Sequence, residues 1–78
     1  MRACILIHAK KGAADAVTKE MTAVPGVTHA FPVFGSADVV ARAEVKDLRA
    51  LRKLVDVAAA LPGVAGTETL PELMPGGA

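Results

Sequence analysis

The sequence predicts an α+β domain with the element order β-α-β-β-α-β. Three observations carry that reading. Apolar residues switch between strand-like and helix-like spacing, a Pro-Gly-Val junction is written twice, and the prolines inside strand segments fall in only two of the four.

Residues Ala3 to Ala9 (ACILIHA) are a short apolar run with β-branched isoleucines, bounded by Lys10-Lys11-Gly12, and read as a buried strand. From Gly12 to Val24 the apolar residues Ala13, Val17, Met21 and Val24 recur at spacings of four, four and three, which is one face of a helix. Pro25-Gly26 stops that helix. Proline cannot donate to the helical ladder, and glycine accepts the left-handed turn that frees the chain to leave as a strand. Val27 to Phe34 is the second strand, and Gly35-Ser36 marks a tight turn. DVVARAEV (Asp38 to Val45) then alternates, with Val39, Ala41, Ala43 and Val45 on one face and Val40, Arg42 and Glu44 on the other. Asp47 suits the N-cap of a second helix, whose Leu48, Leu51, Val55 and Ala58 repeat at three and four. Pro62-Gly63 ends this helix as Pro25-Gly26 ended the first, and Val64 to about Leu70 is the last strand. The repeated junction is the mark of a duplicated βαβ unit.

Two such units joined by a tight turn make the ferredoxin-like arrangement, in which strand 3 slots between strands 1 and 2. The expected antiparallel order is 4-1-3-2, with both helices on one face. Pro32 and Pro71 then lie in the two edge strands, where a missing N–H breaks no ladder bond. The other face keeps Cys4, Leu6 and Val40, too apolar to leave bare, and is the expected interface of a two-fold dimer, an α/β-barrel type of assembly. Size argues the same way. A chain of 78 residues buries only about 60 to 65% of the surface that its unfolded form exposes. The lone Cys4 and two scattered histidines leave little room for a disulfide or a structural metal, and a composition of 53% hydrophobic residues suggests that another surface covers part of this one. Residues 1–73 are expected to form the domain, and 74–78 a flexible Pro/Gly-rich tail.

Several function classes drop out on composition. No window approaches the roughly 18 to 20 apolar residues of a membrane span, and CILI is too short for a signal peptide, so the chain reads as cytoplasmic. Nine basic and eight acidic side chains spread along the sequence make no electrostatic footprint for direct nucleic-acid binding. His8 and His29 sit on separate strands without a second ligand at metal spacing, and Cys4 has no acidifying neighbour. No metal, no cofactor and no catalytic residue is expected. Arg49, Arg52 and Lys53 form a basic stripe on the second helix, with Asp56 close enough in sequence to pair with Arg52 or Lys53.

From Phe34 onward the residues carry a resemblance. FGSADVVARAEVKDLRAL, followed by LPGVAGTETL, is similar to the effector (RAM, regulation of amino-acid metabolism) domain of the Lrp/AsnC family of feast/famine regulators. A glycine-x-x-aspartate turn opens strand 3 in that family, and a PGV-x-x-T-x-T segment opens strand 4. These motifs stand as Gly35-Ser36-Ala37-Asp38 and as Pro62 to Thr69. The resemblance covers Ala3 to about Leu73. Because the family places a helix-turn-helix before this domain, the chain looks like a stand-alone member.

The resemblance implies a homodimer that assembles further, often into a ring of four dimers (an octamer), with an amino acid or related metabolite held where dimers meet. A full-length Lrp/AsnC regulator is an implied partner. The implied effector contacts are Gly35, Ser36, Ala37 and Asp38, with Gly66, Thr67, Glu68 and Thr69. The chemistry suits a zwitterion: Asp38 can face its ammonium, and the N–H groups of a glycine-containing turn can face its carboxylate. Many members carry an aromatic residue just before the turn aspartate; Ala37 removes that pocket wall and implies weak binding or a bulkier effector. A structural reading stands beside each role. Asp38 can be a turn residue bonding its own backbone, and Thr67 and Thr69 can be strand formers on an edge.

The favoured function is a ligand-sensing regulatory domain, not an enzyme. Two other classes stay open. One is a small ferredoxin-like monooxygenase or isomerase, against which no convergent acid-base pair is identifiable. The other is a purely structural oligomer or an ACT-type domain, for which Lys10-Lys11-Gly12 is a poor match to the usual glycine-rich turn.

Overall fold

Strand β1 (Arg2–Ala9), helix α1 (Ala14–Thr22), strands β2 (Val27–Pro32) and β3 (Val39–Glu44), helix α2 (Leu48–Ala60) and strand β4 (Val64–Pro71) follow one another along the chain. They come from a computed structural model that describes residues 1–72. The expected domain limit at Leu73 and the expected tail at 74–78 lie outside the described residues. The four strands form one antiparallel sheet in the order β2-β3-β1-β4, which is the expected order. Pro32 and Pro71 close the two edge strands.

Alternation decides which face is covered. Ile5 and Ile7 of β1 and Val39, Ala41 and Ala43 of β3 are buried against Val17 and Met21 of α1 and Leu54 and Ala58 of α2. Each large side chain among them stabilises the fold by about 1.5–3 kcal/mol relative to exposure. Cys4, Leu6 and Val40, one residue out of phase, look to the opposite face and remain half-buried.

Both Pro-Gly-Val junctions work as helix stops. Gly26 and Gly63 take positive φ, 96° and 87°, and the strands resume at Val27 and Val64. Space enforces glycine as firmly as backbone does. A Cβ on Gly26 would lie 2.8 Å from Leu54 Cδ1, and one on Gly63 would lie 2.9 Å from Ala13 Cβ. Helix α2 starts as expected: the Asp47 side chain accepts from the Ala50 N–H at 2.9 Å.

The expectations differ from the fold at three places. Leu48, expected on the buried face of α2, is 65% exposed, and Leu54 at 4% takes the core position. As the first residue after the cap, Leu48 lies over the rim of the sheet beside β4, whereas Leu54 meets the core near Gly26. Asp56 forms no ion pair with Arg52 or Lys53; the one ion pair among the described residues joins Arg2 to Glu44 at 3.4 Å, with both side chains exposed. Strand β2 stops at Pro32 and does not reach Phe34, because Pro32 has no N–H to extend the ladder and Val33 already turns back to donate to the Asp38 carbonyl oxygen at 2.9 Å.

Candidate functional site

The turn from Val33 to Asp38 is closed by one hydrogen bond and tied to β1 by two. Val33 N–H closes the turn onto the Asp38 carbonyl, Asp38 N–H donates to the Ile7 carbonyl at 2.9 Å, and Asp38 Oδ2 accepts from Ala9 N–H at 2.8 Å. Asp38 therefore bonds the backbone, though of the neighbouring strand and not of its own turn. A carboxylate has about four acceptor sites, so a single N–H leaves Asp38 able to receive a ligand's ammonium in a fixed orientation.

Beside it the chain forms an open groove of about 450 Å³, lined by Ala14, Asp15, Pro32, Val33, Phe34 and Asp38. Two carboxylates and an aromatic ring thus meet where the N-terminus of α1 passes the β2–β3 turn. Phe34 is fully exposed at 106%. Gly35 and Ser36 are exposed at the turn's tip, while Ala37 is buried and faces inward rather than lining the groove.

The second implied segment is elsewhere. Gly66 pairs with His8 and Glu68 with Leu6, which puts them on the open face of the sheet. Thr67 and Thr69 pair with Ile7 and Ile5 and so face the helices. Asp38 and Thr67 flank the same end of β1 from opposite sides, two inter-strand spacings or about 10 Å apart. Within one chain the two segments share an end of the sheet but not a cavity.

The open face has a composition of its own. Leu6 lies between Val40 on β3 and Glu68 on β4, and Val40 in turn pairs with Phe31. The neighbouring row runs His29, Arg42, Cys4, Leu70. Phe31 and Leu70 are exposed. Among the described residues no group of three His, Cys, Asp or Glu side chains is placed to hold a metal ion, and no helix is long and apolar enough to cross a membrane.

This order of strands, with a motif at each of two turns, can be compared with known proteins. The sequence matches the family model of the Lrp/AsnC ligand binding domain over residues 2–73. The chain belongs to the Lrp/AsnC ligand binding domain family. It is 29% identical over 70 residues to the HTH-type transcriptional regulator FL11 of Pyrococcus horikoshii, covering 90% of this chain and 46% of FL11, so it spans about half the length of that curated relative. Of the solved structures, TTHA0845 from Thermus thermophilus has a TM-score of 0.86 at 30% identity, covering 95% of this chain and 96% of that one. The transcriptional regulator NMB0573 of Neisseria meningitidis, solved as an L-Met complex, shares the fold with a TM-score of 0.82 at 22% identity, over 95% of this chain and 50% of that one.

In this Lrp/AsnC domain, Asp15 and Phe34 line the groove without belonging to either motif that the sequence points to. Phe34 was hidden because an aromatic beside an apolar run reads as strand. Its position between Pro32 and Gly35 was the available signal, since proline and glycine so close together leave no room for a ladder. Asp15 gave none: it reads as ordinary first-turn acid on a helix.

Proposed function

We propose that this Lrp/AsnC domain is a regulatory module that binds a zwitterionic amino acid in the groove beside Asp38 and couples that binding to assembly. Asp38 and Asp15 receive the ammonium, and the N–H groups of the Gly35-Ser36 turn receive the carboxylate. The segment Gly66, Thr67, Glu68 and Thr69 reaches the ligand from a neighbouring copy, because in its own chain it opens elsewhere. Dimers form first, through the open sheet face with Cys4, Leu6 and Val40 at its centre, and the ligand sits where dimers meet. The L-Met complex of the Neisseria regulator supports an amino acid as the ligand class.

One observation carries the reading: a groove with two carboxylates is walled on one side by Phe34, a ring that no described residue covers. Phe34 does not stand alone: with Ala14, Pro32 and Val33 it gives the ligand-sized cleft a contiguous apolar wall that a ligand side chain can cover. The regulation follows from linkage. A ligand bound between copies shifts their association only by its differential affinity for the assembled state. Native mass spectrometry with and without a pooled amino-acid mixture tests this. The expected result is a dimer whose higher assemblies change population with one component of the pool; a fixed oligomer indifferent to every amino acid overturns the proposal.

A further inference from the structure

A second groove, of about 570 Å³, runs between α2 and β4; it shares no lining residue with the groove beside Asp38, though Thr69 of the second implied segment lines it. Leu48, Leu51, Val55 and Pro71 make its apolar floor, and Arg49 and Arg52 its rim. Three independent features of this groove point outward. Leu48, an apolar residue at a helix start, is 65% exposed. Among the described residues neither arginine has a carboxylate partner, the one ion pair there joining Arg2 to Glu44. Finally, β4 is an edge strand, paired only with β1, and so offers a row of unpaired backbone N–H and C=O groups directly beside the groove.

We infer that this groove docks an extended acidic segment of a partner protein, added to the sheet as a fifth strand along β4. The free ladder supplies sequence-independent affinity, as in other strand-addition sites, and the side chains supply the selection. Alternate residues of the added strand face α2. On that face apolar side chains cover Leu48, Leu51 and Val55, and carboxylates meet Arg49 and Arg52, whose guanidinium forks suit them. The charges argue against a second copy as occupant. Pairing β4 with β4 about a two-fold axis normal to the sheet would bring both copies' α2 helices to the same side, arginines toward arginines, with no carboxylate in the groove to offset them.

The test uses a fluorescently labelled, terminally blocked peptide, Leu-Thr-Asp-Thr-Leu-Thr-Asp-Thr-Leu, and its counterpart with lysine at both aspartates. Fluorescence anisotropy is expected to show binding of the acidic peptide and none of the basic one. An Arg49→Glu/Arg52→Glu chain should bind the acidic peptide at least about tenfold more weakly, as expected for loss of charge-assisted contacts, and should gain the basic peptide. Both arginines are exposed on a helix surface, and circular dichroism checks that the doubly substituted chain folds. Backbone amide shifts on titration should fall on β4 and α2. Equal affinity for the two peptides overturns the inference, as does failure of the acidic one to bind at millimolar concentration. Amide shifts confined to the open sheet face, or a self-association that the double substitution abolishes, also overturn it, the last by assigning the groove to a second copy.

Discussion

Gly26 and Gly63 occupy equivalent places, yet the two glycines are not held equally. Beyond Gly26 the nearest atom is the flexible end of Leu54; beyond Gly63 it is Ala13 Cβ, which cannot move without the start of α1. Alanine at either position adds backbone strain of about 1–2 kcal/mol from the positive φ. Gly63→Ala should cost more in total than Gly26→Ala, because its clash is with a rigid neighbour. Gly66→Ala, where an added Cβ meets nothing within 4 Å, should change stability little; denaturant midpoints give the ranking. Asp38 separates structure from recognition at the same scale. Asp38→Ala leaves the Ala9 N–H without its acceptor and should destabilise by about 1–3 kcal/mol. Asp38→Asn keeps an acceptor oxygen and drops the charge. It should retain most of the stability while weakening amino-acid binding by about tenfold, the loss of a charge-assisted contact. Unchanged ligand affinity in a folded Asp38→Asn chain, measured by calorimetry, would leave Asp38 with its backbone role alone.

At the scale of elements, the two helices depend on different things. Helix α2 has a side-chain cap, and Asp47→Ala should lower stability by about 1 kcal/mol. Helix α1 has no side-chain cap and relies on burial of Val17 and Met21, both fully enclosed. Within α2, Leu54→Ala should cost about 2–4 kcal/mol, since it empties a core position. Leu48→Ala should stay within about 0.5 kcal/mol. The buried face expected from the sequence, with Leu48 and without Leu54, ranks them the other way, so thermal unfolding of the pair tests the correction directly. The Arg2–Glu44 pair should add nothing measurable to these values, being exposed on both sides.

For the whole molecule the decisive feature is a sheet covered on one face only. Helices cover Ile5, Ile7, Val39 and Ala41, while Leu6, Val40, Phe31 and Leu70 look outward. Leu6→Arg places a charge at the middle of that outward face without touching the helix-covered core. The proposed dimer predicts that light scattering finds this chain monomeric and still folded; a dimer that survives the substitution moves the interface elsewhere.

Local rules determined the architecture, and they were legible in the order of the residues. Period-two and period-four spacing named the strands and helices, Pro-Gly ended both helices, and Pro32 and Pro71 marked the edges, because each of these acts through its own backbone or its near neighbours in the chain. Asp47 was legible for the same reason. The candidate site was legible as a pair of motifs and no further. That Asp38 holds Ala9 N–H, that Thr67 and Thr69 turn toward the helices while Gly66 and Glu68 turn away, and that Asp15 and Phe34 meet at one groove were decided by register between strands distant in sequence. Leu48 and Leu54 fit helical spacing equally well, and only the docking angle of α2 on the sheet chose between them. A turn or a cap is settled within a few residues, whereas a site belongs to whichever segments the packed sheet brings together.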